Sequence, residues 1–280
     1  MSLISPEDLR TRLGDPSIRL ADVRWYLGQP GRGRAEYAEA HIPGAVFVDL
    51  DSDLAAPEGP GRHPLPAADA FAARMGELGF GTEHDIVVYD EGGGTIAARL
   101  WWMLDNLGHP SVRLLDGGIR AWRELGGPVS ADAVVHPPAP TRLASAWTGT
   151  IDRAAVAERL GSITLLDGRA AERYRGEVEP IDPAAGHIPT AQSAPTSGNL
   201  GADGRFLSPA ELAQRLEVLG AGGGAVVSYC GSGTTACHNI LAARLAGLPD
   251  PLLYVGSFSD WSQAEMPVAT GAQPGAPKPE

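Results

Sequence analysis

Asp85-Ile86-Val87-Val88-Tyr89-Asp90-Glu91-Gly92-Gly93-Gly94-Thr95 and Gly224-Ala225-Val226-Val227-Ser228-Tyr229-Cys230-Gly231-Ser232-Gly233-Thr234 share one pattern. Each is a short apolar run that ends in a tyrosine, then one reactive or charged residue, then a glycine-rich turn. An apolar run of this length, rich in β-branched residues and bounded by glycines, reads as a buried strand running into a tight loop. Asp90 and Cys230 fall at the same place in the two runs, 140 residues apart. Other landmarks keep nearly that separation and the same order. His41-Ile42-Pro43 answers His187-Ile188-Pro189, and Asp22-Val23-Arg24 answers Asp167-Gly168-Arg169. Leu115-Asp116-Gly117-Gly118-Ile119 with Trp122 answers Tyr254-Val255-Gly256-Ser257-Phe258 with Trp261. Two copies of one fold explain this more simply than coincidence.

Working outward, each copy alternates strands and helices. Helices are expected at Ser5 to Leu13 and Asp152 to Arg159, then at Ala67 to Leu78 and Pro209 to Leu219, where apolar residues recur at helical spacing. Strands are expected at Ile18 to Val23 and Ile163 to Asp167, and again at Ile86 to Tyr89 and Ala225 to Tyr229. The fold class is therefore α/β, with two tandem domains, each a mainly parallel sheet flanked by helices. The first domain is expected over residues 1–127 and the second over residues 148–280. Residues 128–147, with Pro128, Pro137, Pro138 and Pro140, read as an extended linker. Ala269 to Glu280, rich in Pro, Gly and Ala, is expected to be loosely attached.

The bulk composition excludes several functions. With 34 acidic against 22 basic residues the formal net charge is -12, which repels polyanions, so no nucleic-acid partner is expected. An anionic substrate would need a local basic patch. No apolar run approaches the roughly 20 residues of a membrane span, and the polar start at Ser2, Ser5, Glu7 and Asp8 is unlike a signal peptide. The two cysteines, Cys230 and Cys237, are seven residues apart, about two helical turns, too far for an easy disulfide. The chain is read as a cytoplasmic monomer with no cofactor. No cluster offers three or four metal ligands, so no metal is expected.

The chemistry concentrates at Cys230. Gly231 and Gly233 let the backbone curl tightly, and a helix begins near Thr235. The N–H groups of such a loop, with those of the first helical turn, can converge on one spot and cradle an anion. The Cys230 sulfur stands at that spot, so it is expected as a thiolate and hence as a nucleophile. The plainer alternative is a small buried hydrophobe at a strand end. A cysteine phosphatase would need an arginine at the sixth position after the cysteine to grip phosphate. That position is Ala236, which excludes the reading.

The stretch Cys230-Gly231-Ser232-Gly233-Thr234-Thr235-Ala236-Cys237-His238 closely resembles the active loop of 3-mercaptopyruvate sulfurtransferases within the rhodanese family, which usually carry Val where Thr234 stands. The doubled domain, both His-Ile-Pro segments and Leu115-Asp116-Gly117-Gly118 resemble the tandem rhodanese family over nearly the whole chain. The resemblance implies that the second domain alone is catalytic, since Asp90 replaces the nucleophile in the first. It implies a site at the cleft between the domains and a persulfide on Cys230. Sulfur would come from a small anionic donor, 3-mercaptopyruvate or thiosulfate, and pass to cyanide or a thiol acceptor. Two alternatives stand beside this: thiosulfate as the main donor, and a catalytically silent binding or regulatory module.

By the same resemblance, His63 and Asp51 are contributed by the first domain and shuttle a proton with Ser232. Gly231, Gly233, Thr234 and Thr235 form the substrate-binding loop, and Arg173 takes the donor's carboxylate. One departure stands out. The family usually places a second basic residue shortly after the arginine, but Gly176 to Gly186 contains Glu177, Glu179 and Asp182 and no Lys or Arg, with Ile181 near the expected position. His41 and His187, present in both copies, are read as structural, and Cys237 as core packing.

Overall fold

Both apolar repeats become central strands. In the computed structural model, which describes residues 2–277, the first half forms β1 (Leu3–Ile4), α1 (Pro6–Thr11), β2 (Ile18–Asp22), α2 (Arg32–Glu39), β3 (Ala45–Phe47), α3 (Ala68–Glu77), β4 (Asp85–Tyr89), α4 (Ala97–Asn106), β5 (Val112–Leu115) and α5 (Gly118–Glu124). The second half forms β6 (Thr150–Ile151), α6 (Arg153–Glu158), β7 (Thr164–Asp167), α7 (Ala171–Arg175), β8 (Gln192–Ser193), a 3-10 turn at Thr196–Asn199, α8 (Pro209–Val218), β9 (Val226–Tyr229), α9 (Ala236–Leu245), β10 (Leu252–Tyr254) and α10 (Ser257–Gln263). The strand orders are β1-β5-β4-β2-β3 and β6-β10-β9-β7-β8, so the two sheets share one topology. Every pairing between these strands is parallel. β4 and β9 lie mid-sheet and are buried from Ile86 and from Val226 to their ends. The loops at Asp90 and Cys230 thus leave the carboxyl ends of central strands, where ligands bind in open parallel sheets. Among the described residues no helix is long and apolar enough to cross a membrane.

The repeated landmarks hold the two sheets by the same contacts. Arg24 donates to both carboxylate oxygens of Asp22, with Nε at 3.0 and 3.1 Å and Nη2 at 2.7 Å. Arg169 grips Asp167 in the same way, with Nε at 3.0 and 3.2 Å and Nη2 at 2.7 Å. The spare Nη2 capacity reaches the carbonyl of Ala40 in one copy and of Gly186 in the other. In each copy the tyrosine ending the central strand accepts the N–H of the Ile in His-Ile-Pro at 3.2 Å. Each histidine of that motif bonds through Nδ1 to a tyrosine carbonyl at 2.8 Å and stacks on that tyrosine's ring, Tyr37 or Tyr174. Trp122 and Trp261 donate to the carbonyls of Pro128 and Pro267.

The chain divides into two units whose borders differ from a single cut. Unit 1 comprises the residues up to Ala56, Leu65–Thr148 and Ala202–Phe206; unit 2 comprises Pro57–Pro64, Gly149–Gly201 and the residues from Leu207 on. The segment 57–64, read from sequence as part of the first domain, therefore packs as part of unit 2. Residues 128–147 are extended but lie on the body of unit 1. Ser130 pairs with His41, Ala139 N–H donates to Gly76, and Trp147 stacks on Trp102 at 5.9 Å. The stretch after Ala269 is not loose over its described part: Ala269 pairs with His187, Gly271 N–H reaches Arg175 O at 2.9 Å, and Pro274 O accepts from Thr190. Backbone pairing fixes it where composition suggested nothing would. Residues 278–280 lie outside the described residues.

Asp22 and Arg24 have fully buried side chains. Asp22→Ala leaves the buried guanidinium with the Ala40 carbonyl at 2.8 Å and the Glu36 carboxylate at 3.9 Å. Urea unfolding should show a loss of about 3–5 kcal/mol, the usual effect of breaking a buried pair from one side. Replacing both residues, as Asp22→Ala with Arg24→Met, should recover much of it.

Candidate active site

The first copy shows what this loop does to an anion. Asp90 follows β4, and its Oδ1 accepts the N–H groups of Gly92 and Gly94, each at 3.0 Å. Its Oδ2 accepts those of Ile96 at 2.8 Å and Ala97 at 3.1 Å. Gly93 and Gly94, at φ 79° and 74°, turn the chain so that these donors converge with the start of α4. Burial pushes the Asp90 carboxyl up, while the four N–H groups draw it back. The cradle is filled by the protein's own carboxylate, which cannot carry sulfur.

Unit 2 repeats the frame with Cys230 in that place. Phe258 N–H donates to Cys230 O at 3.0 Å, as Ile119 N–H does to Asp90 O. Ser259 N–H donates to Gly231 O at 2.9 Å, as Arg120 N–H does to Glu91 O at 3.0 Å. Gly233 has φ 76°, and a Cβ there would sit 2.4 Å from Val255 O, so only glycine fits. Thr235 directly precedes α9. Cys230 is a free, buried thiol, as is Cys237, whose Sγ donates to Gly233 O at 3.5 Å. Ser257 holds the unfavourable φ of 53° where the first copy has Gly118 at 62°. Its Oγ accepts the Cys230 N–H at 3.1 Å and donates to Tyr254 O at 2.8 Å, which fixes the backbone of the cysteine.

His63 reaches the loop on the segment 57–64. Gly61 approaches so closely that a Cβ would lie 2.4 Å from Gly256 O, and Arg62 N–H donates to Ser259 Oγ at 3.1 Å. Held there, the buried His63 places Nδ1 2.7 Å from Ser232 Oγ and 3.4 Å from Thr234 Oγ1. A hydroxyl two residues after the thiol is thereby joined to a titratable ring. Asp51 belongs to unit 1, where its carboxylate accepts the Trp25 indole N–H at 3.0 Å.

Arg173, on α7, donates to Glu179 at 2.7, 2.9 and 3.2 Å and to Asp182 at 3.2 Å. Asp182 also pairs with Arg62. Burial opposes ionisation of Glu179, but Arg173 and the Asp182 N–H hold its carboxyl below the usual range. The Asp182 carboxyl is pushed up by burial, against the pull of Arg62. Glu179 and Asp182 thus face inward and hold Arg173, while Glu177 and Ile181 are exposed. Two residues of the site escape a reading of the sequence, Arg62 and Ser257. Each adjoins a motif that does stand out, Arg62 beside His63 and Ser257 in the segment matching Gly117-Gly118.

A family model for the rhodanese-like domain matches residues 5–125 and again residues 152–264. A probable 3-mercaptopyruvate sulfurtransferase of Pseudomonas aeruginosa is 45% identical over 278 residues, covering 96% of this chain and 98% of that one. A putative thiosulfate sulfurtransferase of Mycobacterium tuberculosis is 40% identical, covering 92% of each chain. The solved structure of a 3-mercaptopyruvate sulfurtransferase from Leishmania major is similar with a TM-score of 0.82 and 29% identity, over 94% of this chain and 74% of that one.

Asp90→Asn tests the cradle of unit 1. The amide nitrogen would face two N–H donors and leave them unpaired, at about 1–3 kcal/mol each. Chemical denaturation should register that loss, while sulfur transfer by the folded variant stays at the wild-type rate.

Proposed function

The chain belongs to the rhodanese-like family and is a sulfurtransferase, and we propose that it draws sulfur from 3-mercaptopyruvate through a persulfide on Cys230, in the cytoplasm. The Cys230 thiolate attacks the donor sulfur. An S–S bond forms, the C–S bond breaks, and its electron pair stays on the three-carbon fragment as an enolate. The proton of the donor thiol passes through Ser232 and His63 to the enolate carbon, giving pyruvate. Cyanide or a thiolate then attacks the outer sulfur, the S–S bond breaks, and Cys230 returns as thiolate.

The observation that carries this reading is the 2.7 Å contact between His63 Nδ1 and Ser232 Oγ. A hydrogen-bonded hydroxyl and imidazole two residues from the nucleophile suit a reaction in which a proton must reach carbon as sulfur leaves. Thiosulfate has no such proton to move. The absence of Lys and Arg from positions 231–236 also supports a donor bound by its carboxylate elsewhere.

Turnover of 3-mercaptopyruvate and thiosulfate, compared at equal concentration, should favour 3-mercaptopyruvate; a faster rate with thiosulfate overturns the choice of donor. Cys230→Ser should abolish transfer with either, and mass spectrometry of the donor-treated wild type should find one added sulfur on the Cys230 peptide. Sulfur on Cys237 instead would refute the nucleophile. His63→Ala should lower kcat with 3-mercaptopyruvate by about 10²- to 10⁴-fold, the range for a positioned acid–base group.

A further inference from the structure

Two hydroxyls of the cysteine loop converge on one ring nitrogen. His63 Nδ1 lies 2.7 Å from Ser232 Oγ and 3.4 Å from Thr234 Oγ1. Gly233 stands between the two residues at φ 76°, pressed against the Val255 carbonyl. The Thr234 carbonyl accepts the Cys237 N–H at 3.3 Å, which ties the residue to the first turn of α9. Both hydroxyl-bearing residues are buried, Ser232 at 7% exposure and Thr234 at 3%. A hydroxyl placed there destabilises the fold unless it is hydrogen-bonded. Among the described residues, the partner of Thr234 Oγ1 is His63 Nδ1 and no other group. The position is also the one where this loop departs from the Val usual in the loops it resembles, so the hydroxyl is a feature of this chain.

An imidazole nitrogen carries one lone pair or one hydrogen, so Nδ1 makes one short bond at a time. Ser232, at 2.7 Å, holds it in the structure. A Ser232 hydroxyl that serves the donor must turn away from Nδ1 while it does so, and the ring then loses the bond that orients it. We infer that Thr234 is a positioning residue, whose hydroxyl bonds His63 Nδ1 while Ser232 is engaged with the donor and so keeps the imidazole in register with the relay. This role rests on the reading of 3-mercaptopyruvate as donor, with Ser232 and His63 moving its proton. A hydroxyl suits the task because it donates to a bare Nδ1 and accepts from a protonated one. Thr234 needs no contact with the donor and gives up no proton.

The test uses Thr234→Val, which keeps the shape and removes the hydroxyl, and Thr234→Ser, which keeps the hydroxyl and removes a methyl. Steady-state kinetics with 3-mercaptopyruvate should show kcat lowered about 2- to 10-fold in Thr234→Val, the range of one neutral hydrogen bond. KM should be unchanged, because no donor contact is lost. Thr234→Ser should keep the wild-type kcat. Combined with His63→Ala, Thr234→Val should lower kcat no further. A second readout needs no donor: the ¹⁵N resonance of His63 Nδ1, identified by its loss in His63→Ala, should move in Thr234→Val and stay in place in Thr234→Ser. Loss of activity in Thr234→Ser with retention in Thr234→Val would mean that the residue only packs, and overturns the role. An equal fall of kcat without His63, an unchanged kcat in Thr234→Val or an unmoved resonance overturns it too. If the wild type turns over thiosulfate but not 3-mercaptopyruvate, the donor reading fails and the role falls with it, whereas 3-mercaptopyruvate turnover untouched by Thr234→Val removes the role alone.

Discussion

Backbone N–H groups that converge at the end of a buried parallel strand need an anion, and unit 1 of this chain is arranged around that need. In unit 1 the anion is built in: the Asp90 carboxylate takes four N–H groups from the loop and the start of α4. The arrangement is closed, because a carboxylate can neither leave nor accept sulfur. In unit 2 the strand end is held by equivalent backbone bonds from the segment that opens α10, and a thiol stands where the carboxylate does. A group that gains and loses sulfur can occupy such a place only if its charge is tolerated throughout.

Around Cys230 three arginines are each matched to an acid: Arg169 to Asp167, Arg173 to Glu179, and Arg62 to Asp182. Buried charges held in this way are costly to unpair, so each guanidinium is fixed in orientation as well as in charge. In a chain with net charge -12, such local matching lets a small anion approach a neutral surface rather than a repulsive one.

The repeat was legible because its landmarks act in pairs of fixed geometry. An Asp-x-Arg at a strand end closes on itself and reaches one carbonyl, and His-Ile-Pro presents one N–H to one tyrosine, so each leaves a trace in the sequence. Strand and helix positions followed from apolar spacing to within a residue or two, as at Ala225 to Tyr229 against β9. Cys230, Ser232 and the loop glycines were legible from the turn they must form. Arg62 was not. Its partner Asp182 lies 120 residues away, and nothing in Gly-Arg-His-Pro shows where the segment packs. Composition likewise marked residues 128–147 as extended but could not show the backbone pairing with His41 and Gly76 that seats them on unit 1.

The segment 57–64 brings a cation to the acidic stretch after Arg173. A second arginine placed there would point inward among Glu179 and Asp182, since that stretch folds against α7 and both acids are buried. Arg62 enters from another direction, on a backbone held to Ser259 and allowed by Gly61 to touch Gly256. The next residue on that backbone is His63, which meets Ser232. One short segment therefore brings to the cysteine loop both a cation and a titratable ring, and its position relative to Cys230 is fixed by hydrogen bonds to residues that also fix the loop. A shift of the segment would therefore disturb Arg62 and His63 together, whereas Arg173, on α7, would be disturbed alone.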